Sequence, residues 1–249
     1  MRPLTRKWLF TALALCLSLS AQGESLYMVS EEWVGATNAD GTGLYWDVMR
    51  EIYEPEGYDV ELDVFPYARA VNMVKAGDAD FWVGSYLDEE GAALYPAPEH
   101  YFDADTVKAA IPAGNAADFS GEASLEGKDI GWVRGYAYDQ YLDVGVNHEE
   151  LSGLESGLRM VASERLAAVM DDAWEIEQAM KSVDLSSDDL KLVHVLDLPL
   201  YPAFQDTDRG RKLRDIYDKR FPDLVESGRL QELYDKYDDY DEYRPGLAE

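Results

Sequence analysis

The sequence is short of cysteine, histidine and positive charge. Its one cysteine, Cys16, excludes an intrachain disulfide and any metal site built on several thiolates. The three histidines, His100, His148 and His194, are scattered and share no metal-ligand spacing. Lys and Arg number 22 against 50 Asp and Glu, giving a formal net charge of −28. So acidic a chain repels phosphate backbones, which excludes nucleic acid as a partner. The charge is read as a well-solvated surface and does not by itself call for a cationic ligand. No G-x-S-x-G elbow or P-loop occurs. Gly41-Thr42-Gly43 is only a fragment of a dinucleotide fingerprint, because Trp46 stands where the last glycine belongs, and a turn explains it better. Paired carboxylates such as Asp171-Asp172 mean little alone among 50 acids. Beyond residue 23 no hydrophobic run is long enough to cross a bilayer.

What is present begins with a leader. Arg2, Arg6 and Lys7 precede an apolar run from Trp8 to Leu19, and Ala21-Gln22-Gly23 places small residues at both key positions of a cleavage site. Residues 1–23 are therefore read as a secretory signal peptide, with the mature chain starting at Glu24 and losing Cys16. Bulky Leu15 before that cysteine argues against a lipoprotein.

The mature region alternates between two periods. Leu26 to Val29 is a short apolar strand. After turn chemistry at Asn38 to Gly43, Leu44, Tyr45, Val48, Met49, Ile52 and Tyr53 recur at helical spacing, with Gly57 as a stop. Tyr58, Val60, Leu62 and Val64 alternate with Asp59, Glu61 and Asp63, which predicts a strand with one face toward a core. A helix through Ala68 to Val74 ends at Gly77, and Phe81-Trp82-Val83 is a buried strand. The alternation restarts at Asp129 to Val133, a strand, followed by a predicted helix from Tyr136 to Val144. Helical Leu158 to Val161, a strand from Leu166 to Met170 and a helix from Trp174 to Met180 come next. Ile111 to Asn115 reads as a boundary loop and Leu192 to Leu196 as a strand. Asp206-Thr207-Asp208 caps a helix to Arg220, Pro222 opens a last one to Tyr237, and the tail to Glu249 is acidic and frays. The class is α/β with largely parallel pairing.

Five segments, in order, resemble one family. They are Asp40-Gly41-Thr42-Gly43-Leu44-Tyr45-Trp46-Asp47-Val48; Pro66-Tyr67-Ala68-Arg69-Ala70 with Lys75 to Asp80; Leu125 to Gly131 followed by Arg134-Gly135; Arg165 to Asp172; and Glu226-Ser227-Gly228-Arg229-Leu230-Gln231-Glu232-Leu233-Tyr234. Each is weak alone; together they span nearly the whole mature chain. The pattern is similar to that of bacterial extracellular solute-binding proteins of the polar amino-acid type (family 3), with the class II periplasmic binding protein fold. The resemblance implies two α/β lobes joined by two crossing strands, a Venus flytrap. Lobe 1 would comprise residues 24–108 and 198–249, the latter with the tail, and lobe 2 residues 109–197. It further implies a monomer in the periplasm that needs no cofactor or metal, catalyses nothing and passes a small polar ligand to an ABC transporter permease. The same fold also serves ligand sensors that signal to a separate membrane receptor, and a few dehydratase-like enzymes.

The candidate ligand-binding residues follow from the residues and the resemblance together. Arg69 at the mouth of a helix can grip a carboxylate with two parallel hydrogen bonds, and Tyr67 can pack on an apolar part of the ligand. A surface arginine balancing the acidic charge is the other reading of Arg69. Ser85 and Tyr86 end a strand, where parallel sheets present ligand groups. Arg134 and Tyr136 lie where a strand hands over to the predicted helix, whose free amides would favour an anionic group. Asp172 matches the family's acid that takes the ligand's amino group, although Asp171 beside it can fill the same role. Trp33 falls in the aromatic stretch before the first turn. One departure stands out. Tyr86 to Ala93 contains no basic residue, so the family's usual arginine for an α-carboxylate is absent. Either Arg69 or Arg134 replaces it, or the ligand is another polar or cationic small molecule.

Overall fold

A computed structural model describes residues 23–86 and 97–237. The expected leader up to Gln22 and the expected fraying tail from Asp238 lie outside the described residues, as does the stretch from Leu87 to Pro96. Strands are β1 Glu24–Ser30, β2 Tyr58–Val64, β3 Phe81–Ser85, β4 Asp103–Pro112, β5 Asp129–Val133, β6 Asn147–Leu151, β7 Ala168–Asp172 and β8 Leu190–Phe204. Helices are α1 Leu44–Tyr53, α2 Tyr67–Ala76, α3 Leu154–Ala162, α4 Ala173–Ser182, α5 Asp208–Glu226 and α6 Arg229–Lys236. No helix among the described residues is long and apolar enough to cross a membrane.

All eight strands share one sheet, in the order β2-β1-β3-β8-β4-β7-β5-β6. The three strands on one side (β2-β1-β3) and the three on the other (β6-β5-β7) are parallel within each set and have the same internal order. The long β4 and β8 run between them as an antiparallel pair. Register fixes the geometry. β3 starts opposite Phe204 and ends with Ser85 opposite Tyr201, whereas β7 runs from Val169 opposite Ala110 to Asp172 opposite Val107. Because Asp103 of β4 faces Leu200 of β8, the carboxyl ends of β3 and β7 approach the same level from opposite directions.

The amphipathic patterns explain the packing. α1 buries Leu44, Tyr45, Trp46, Val48, Met49, Ile52 and Tyr53 against α5 and α6. β2 keeps the expected alternation, with Asp59, Glu61 and Asp63 exposed on an edge strand. α3 and α4 close a second core on Leu158, Val161, Val169 and Ile176. At about 25 cal/mol per Å² of apolar surface, each such buried aliphatic side chain contributes roughly 1.5–3 kcal/mol.

Several local expectations are corrected. The predicted helix over 136–144 is absent; only a 3-10 turn at Tyr138–Gln140 forms. The Trp132 indole donates to the Tyr136 carbonyl at 2.8 Å, claiming the acceptor that a helix would use. β4 and β6 were not legible, and Ile111 and Pro112 end β4 instead of opening a loop. β7 begins at Ala168, two residues later than expected. α5 runs through Pro222, because Leu213, Tyr217, Phe221 and Leu224 stay in step on its buried face. That continuous burial outweighs the one hydrogen bond that proline cannot donate. The break falls at Ser227-Gly228.

Candidate ligand-binding site

Where parallel strand order reverses, side chains at the carboxyl ends of strands collect beside a crevice. Here β1, β3, β5 and β7 deliver Trp33, Tyr86, Tyr136 and Asp171-Asp172 to the level where β4 contributes Asp105 and β8 contributes Leu200. These residues border a cavity of about 30 Å³, room for one or two waters. That volume alone is smaller than a solute of amino-acid size. A larger space of about 410 Å³ adjoins it and shares Trp33, Tyr136, Asp171 and Glu175.

One wall is aromatic. Tyr67 meets Tyr136 edge to face with centroids 5.1 Å apart, and Trp33 lies 6.4 Å from both Tyr67 and Tyr45. A polar chain fixes these rings across the two ends of the sheet. The Trp33 indole donates to Tyr136 Oη at 3.1 Å, and that hydroxyl donates to Glu31 Oε2 at 3.1 Å. Trp174 adds a bond from its indole to the Val34 carbonyl at 3.3 Å. Gly84 permits this arrangement. Its φ is 85°, and a Cβ there would sit 2.4 Å from two carbons of the Trp33 ring.

The other wall is acidic. Asp105, Asp171, Asp172 and Glu175 line the cavity, and among the described residues no Lys, Arg or His lines either space. Tyr86 Oη donates to Asp105 Oδ2 at 2.6 Å. Asp171, 3% exposed, accepts the Asp172 amide at 2.8 Å. Asp172 caps α4 by accepting the Trp174 amide at 2.8 Å. Burial pushes all four carboxyls upward, and neighbouring acids add to it: Asp172 beside Asp105, and Glu175 beside Asp171. Glu175 is pushed up to about 8 by burial and then by Asp172. Glu31 is raised by burial, and hydrogen bonds from Tyr136 and the Tyr67 amide oppose this. Lys108 on β4 favours ionised Asp172, but less strongly than burial disfavours it.

No family model matches the sequence, and no curated protein matches it significantly. Solved structures do match. The substrate-binding protein of an amino acid ABC transporter superposes with a TM-score of 0.67 at 15% identity, over 86% of this chain and 98% of that one. A histidine kinase sensor domain with similarity to periplasmic binding proteins gives 0.71 at 15% identity, over 87% and 96%. An ancestral arginine-binding protein bound to arginine gives 0.69 at 19% identity, over 87% and 99%.

The fold is that of the periplasmic binding proteins.

Within the periplasmic binding protein fold, five of the eight sequence-expected residues come together: Trp33, Tyr67, Tyr86, Tyr136 and Asp172. Ser85 is buried one position short of the cavity and bonds the Tyr86 carbonyl at 3.2 Å. The two arginines stand outside. Arg69 is exposed, with its guanidinium 4.5 Å from the centre of the Phe65 ring. Arg134, with 67% of its side chain exposed, pairs with Glu150 at 3.1 Å. Each carries a charge that water solvates cheaply, and each finds its partner at the surface. The anion site expected at Arg134–Tyr136 also fails, since no helix starts there. Sequence reasoning missed Tyr45, Asp105 and Glu175. Glu175 had a signal, lying one helical turn beyond Asp172. Asp105 had none, because β4 was not read as a strand.

Proposed function

We propose that this chain is a solute-binding protein that encloses a small polar molecule between two lobes and releases it unchanged. The observation that carries the reading is the cavity at the meeting point of oppositely directed strand ends, walled by aromatics from both ends of the sheet. Residues 24–108 and 198–249 form lobe 1 and residues 109–197 form lobe 2, so the boundaries fall inside β4 and β8. Those strands are the hinge. The small volume of the cavity supports a solute that enters an opened form and is gripped on closure. An N-terminal leader places the mature chain in the periplasm, where it works as a monomer and delivers its ligand to an ABC transporter permease. A sensory role is the second reading, favoured by the match to a kinase sensor domain.

Thermal unfolding of the mature chain with a panel of amino acids, amines, betaines and organic acids tests binding. A true ligand at 100 times its dissociation constant adds about 2.7 kcal/mol of stability. Small-angle scattering should then show a smaller radius of gyration in the bound form, and mass spectrometry should recover the ligand unaltered. A saturating ligand that leaves the scattering profile unchanged refutes closure, and recovery of a converted product refutes pure binding. Copurification with a permease supports uptake; copurification with a receptor kinase supports sensing.

A further inference from the structure

We propose that the ligand of this site is a linear organic cation with no carboxylate of its own, an alkyl diamine or longer polyamine. The proposal rests on the solute-binding reading and names the ligand class within it. A zwitterion brings a carboxylate that needs positive charge or free donors inside the cavity, and the site has little of either. Among the described residues, no basic side chain lines the cavity or the space that adjoins it. The stretch Leu87 to Pro96, which follows β3, contains no Lys, Arg or His in sequence. Two helices start at this cavity, and protein carboxylates already take their amides. Glu31 accepts from Tyr67 at the start of α2, and Asp172 accepts from Trp174 at the start of α4.

The same walls suit a cation. Glu175 Oε1 is buried without any hydrogen-bond partner. Asp171, almost wholly buried, has a backbone amide on one oxygen and no basic partner among the described residues. Buried carboxylates are costly unless a positive group meets them, and an ammonium donates to several at once. Trp33, Tyr67 and Tyr136 also line the cavity, and aromatic rings attract an alkylammonium. A single metal ion is a poorer occupant, since no three described carboxylate, imidazole or thiol side chains converge on one point. Shape favours length. The inner cavity shares Trp33 and Glu175 with the neighbouring space bordered by Glu31 and Glu155. One ammonium sits on Asp171 and Glu175, the methylene chain lies along the rings, and a second ammonium reaches the outer acids.

The test uses matched pairs in calorimetry on the mature chain: cadaverine against lysine, and putrescine against ornithine. Each pair shares a carbon chain and differs by the α-carboxylate. The diamine is expected to bind about 100-fold or more tightly than its partner, because the carboxylate would be buried unpaired among acids. Glu175→Gln and Asp171→Asn should each weaken diamine binding about 30-fold or more, with circular dichroism confirming the fold. Equal or tighter binding of lysine and ornithine overturns the cation assignment, and so does tight binding of a neutral or acidic solute. Both of those results leave the solute-binding reading intact. No response to amines, amino acids, betaines or organic acids overturns both. A calcium-dependent signal with no amine response also overturns the proposal.

Discussion

Replacing Glu175 by Gln should make the empty protein more stable at alkaline pH while removing its grip on a cation. In the folded chain Glu175 titrates at about 8 instead of near 4.5, because burial and the facing charges of Asp172, Glu31 and Glu155 oppose ionisation. The acids packed beside it, Asp171 and Asp105, are raised in the same way, and Lys108 opposes this at Asp172. The sign follows from proton counting. Between about 4.5 and 8 the folded state keeps a proton that the unfolded chain has released, so stability falls as pH rises through that window and levels off above it. At about 1.4 kcal/mol per pH unit, the full span amounts to roughly 5 kcal/mol, an upper figure that relaxation of the site reduces. Asp103, raised to about 7 by burial, slopes the same way in both proteins. Urea unfolding from about pH 5 to pH 9 gives the stabilities by linear extrapolation. The wild type and Glu175→Gln should nearly coincide at about pH 5, and the variant should lead by about 2–5 kcal/mol at about pH 9. Glu177→Gln, on the exposed side of α4, changes the net charge equally and should leave the slope alone. Parallel curves for wild type and Glu175→Gln, or an equal effect from Glu177→Gln, would refute the reasoning.

Two other substitutions probe separate links. Gly84→Ala should cost about 1–3 kcal/mol in chemical unfolding, from the left-handed backbone and the displaced Trp33 ring, and should weaken ligand binding in calorimetry. Wild-type stability in that variant would mean that Trp33 is not held against the β3 backbone. Arg69→Ala should leave affinity within about twofold while Asp172→Ala loses about tenfold or more, because only the aspartate lines the cavity. A large loss from Arg69→Ala would put its guanidinium in the ligand's path.

Much of the fold was legible because periodicity reports which face a segment buries. The alternation of Tyr58 to Val64, the helical spacing of Leu44 to Tyr53 and the stops at Gly57 and Gly77 all reflect local geometry, and β2, α1 and α2 form as expected. The aromatic half of the site could be found for a related reason. Trp33, Tyr67, Tyr86 and Tyr136 follow strand ends or open helices, and those junctions are marked in sequence. Charge placement was not legible. An arginine in sequence carries no record of the direction it faces, and Arg69 and Arg134 find partners at the surface in Phe65 and Glu150. The four carboxylates come from three elements, β4, β7 and α4, and only the opposed registers of β3 and β7 on the central pair bring them to one level. The sequence by itself determined strands and helices, an acidic surface and the lack of a basic residue after β3. Tertiary structure alone decided that buried acids and rings share one cavity, because strand register, which depends on partners distant in the chain, sets which side chains meet.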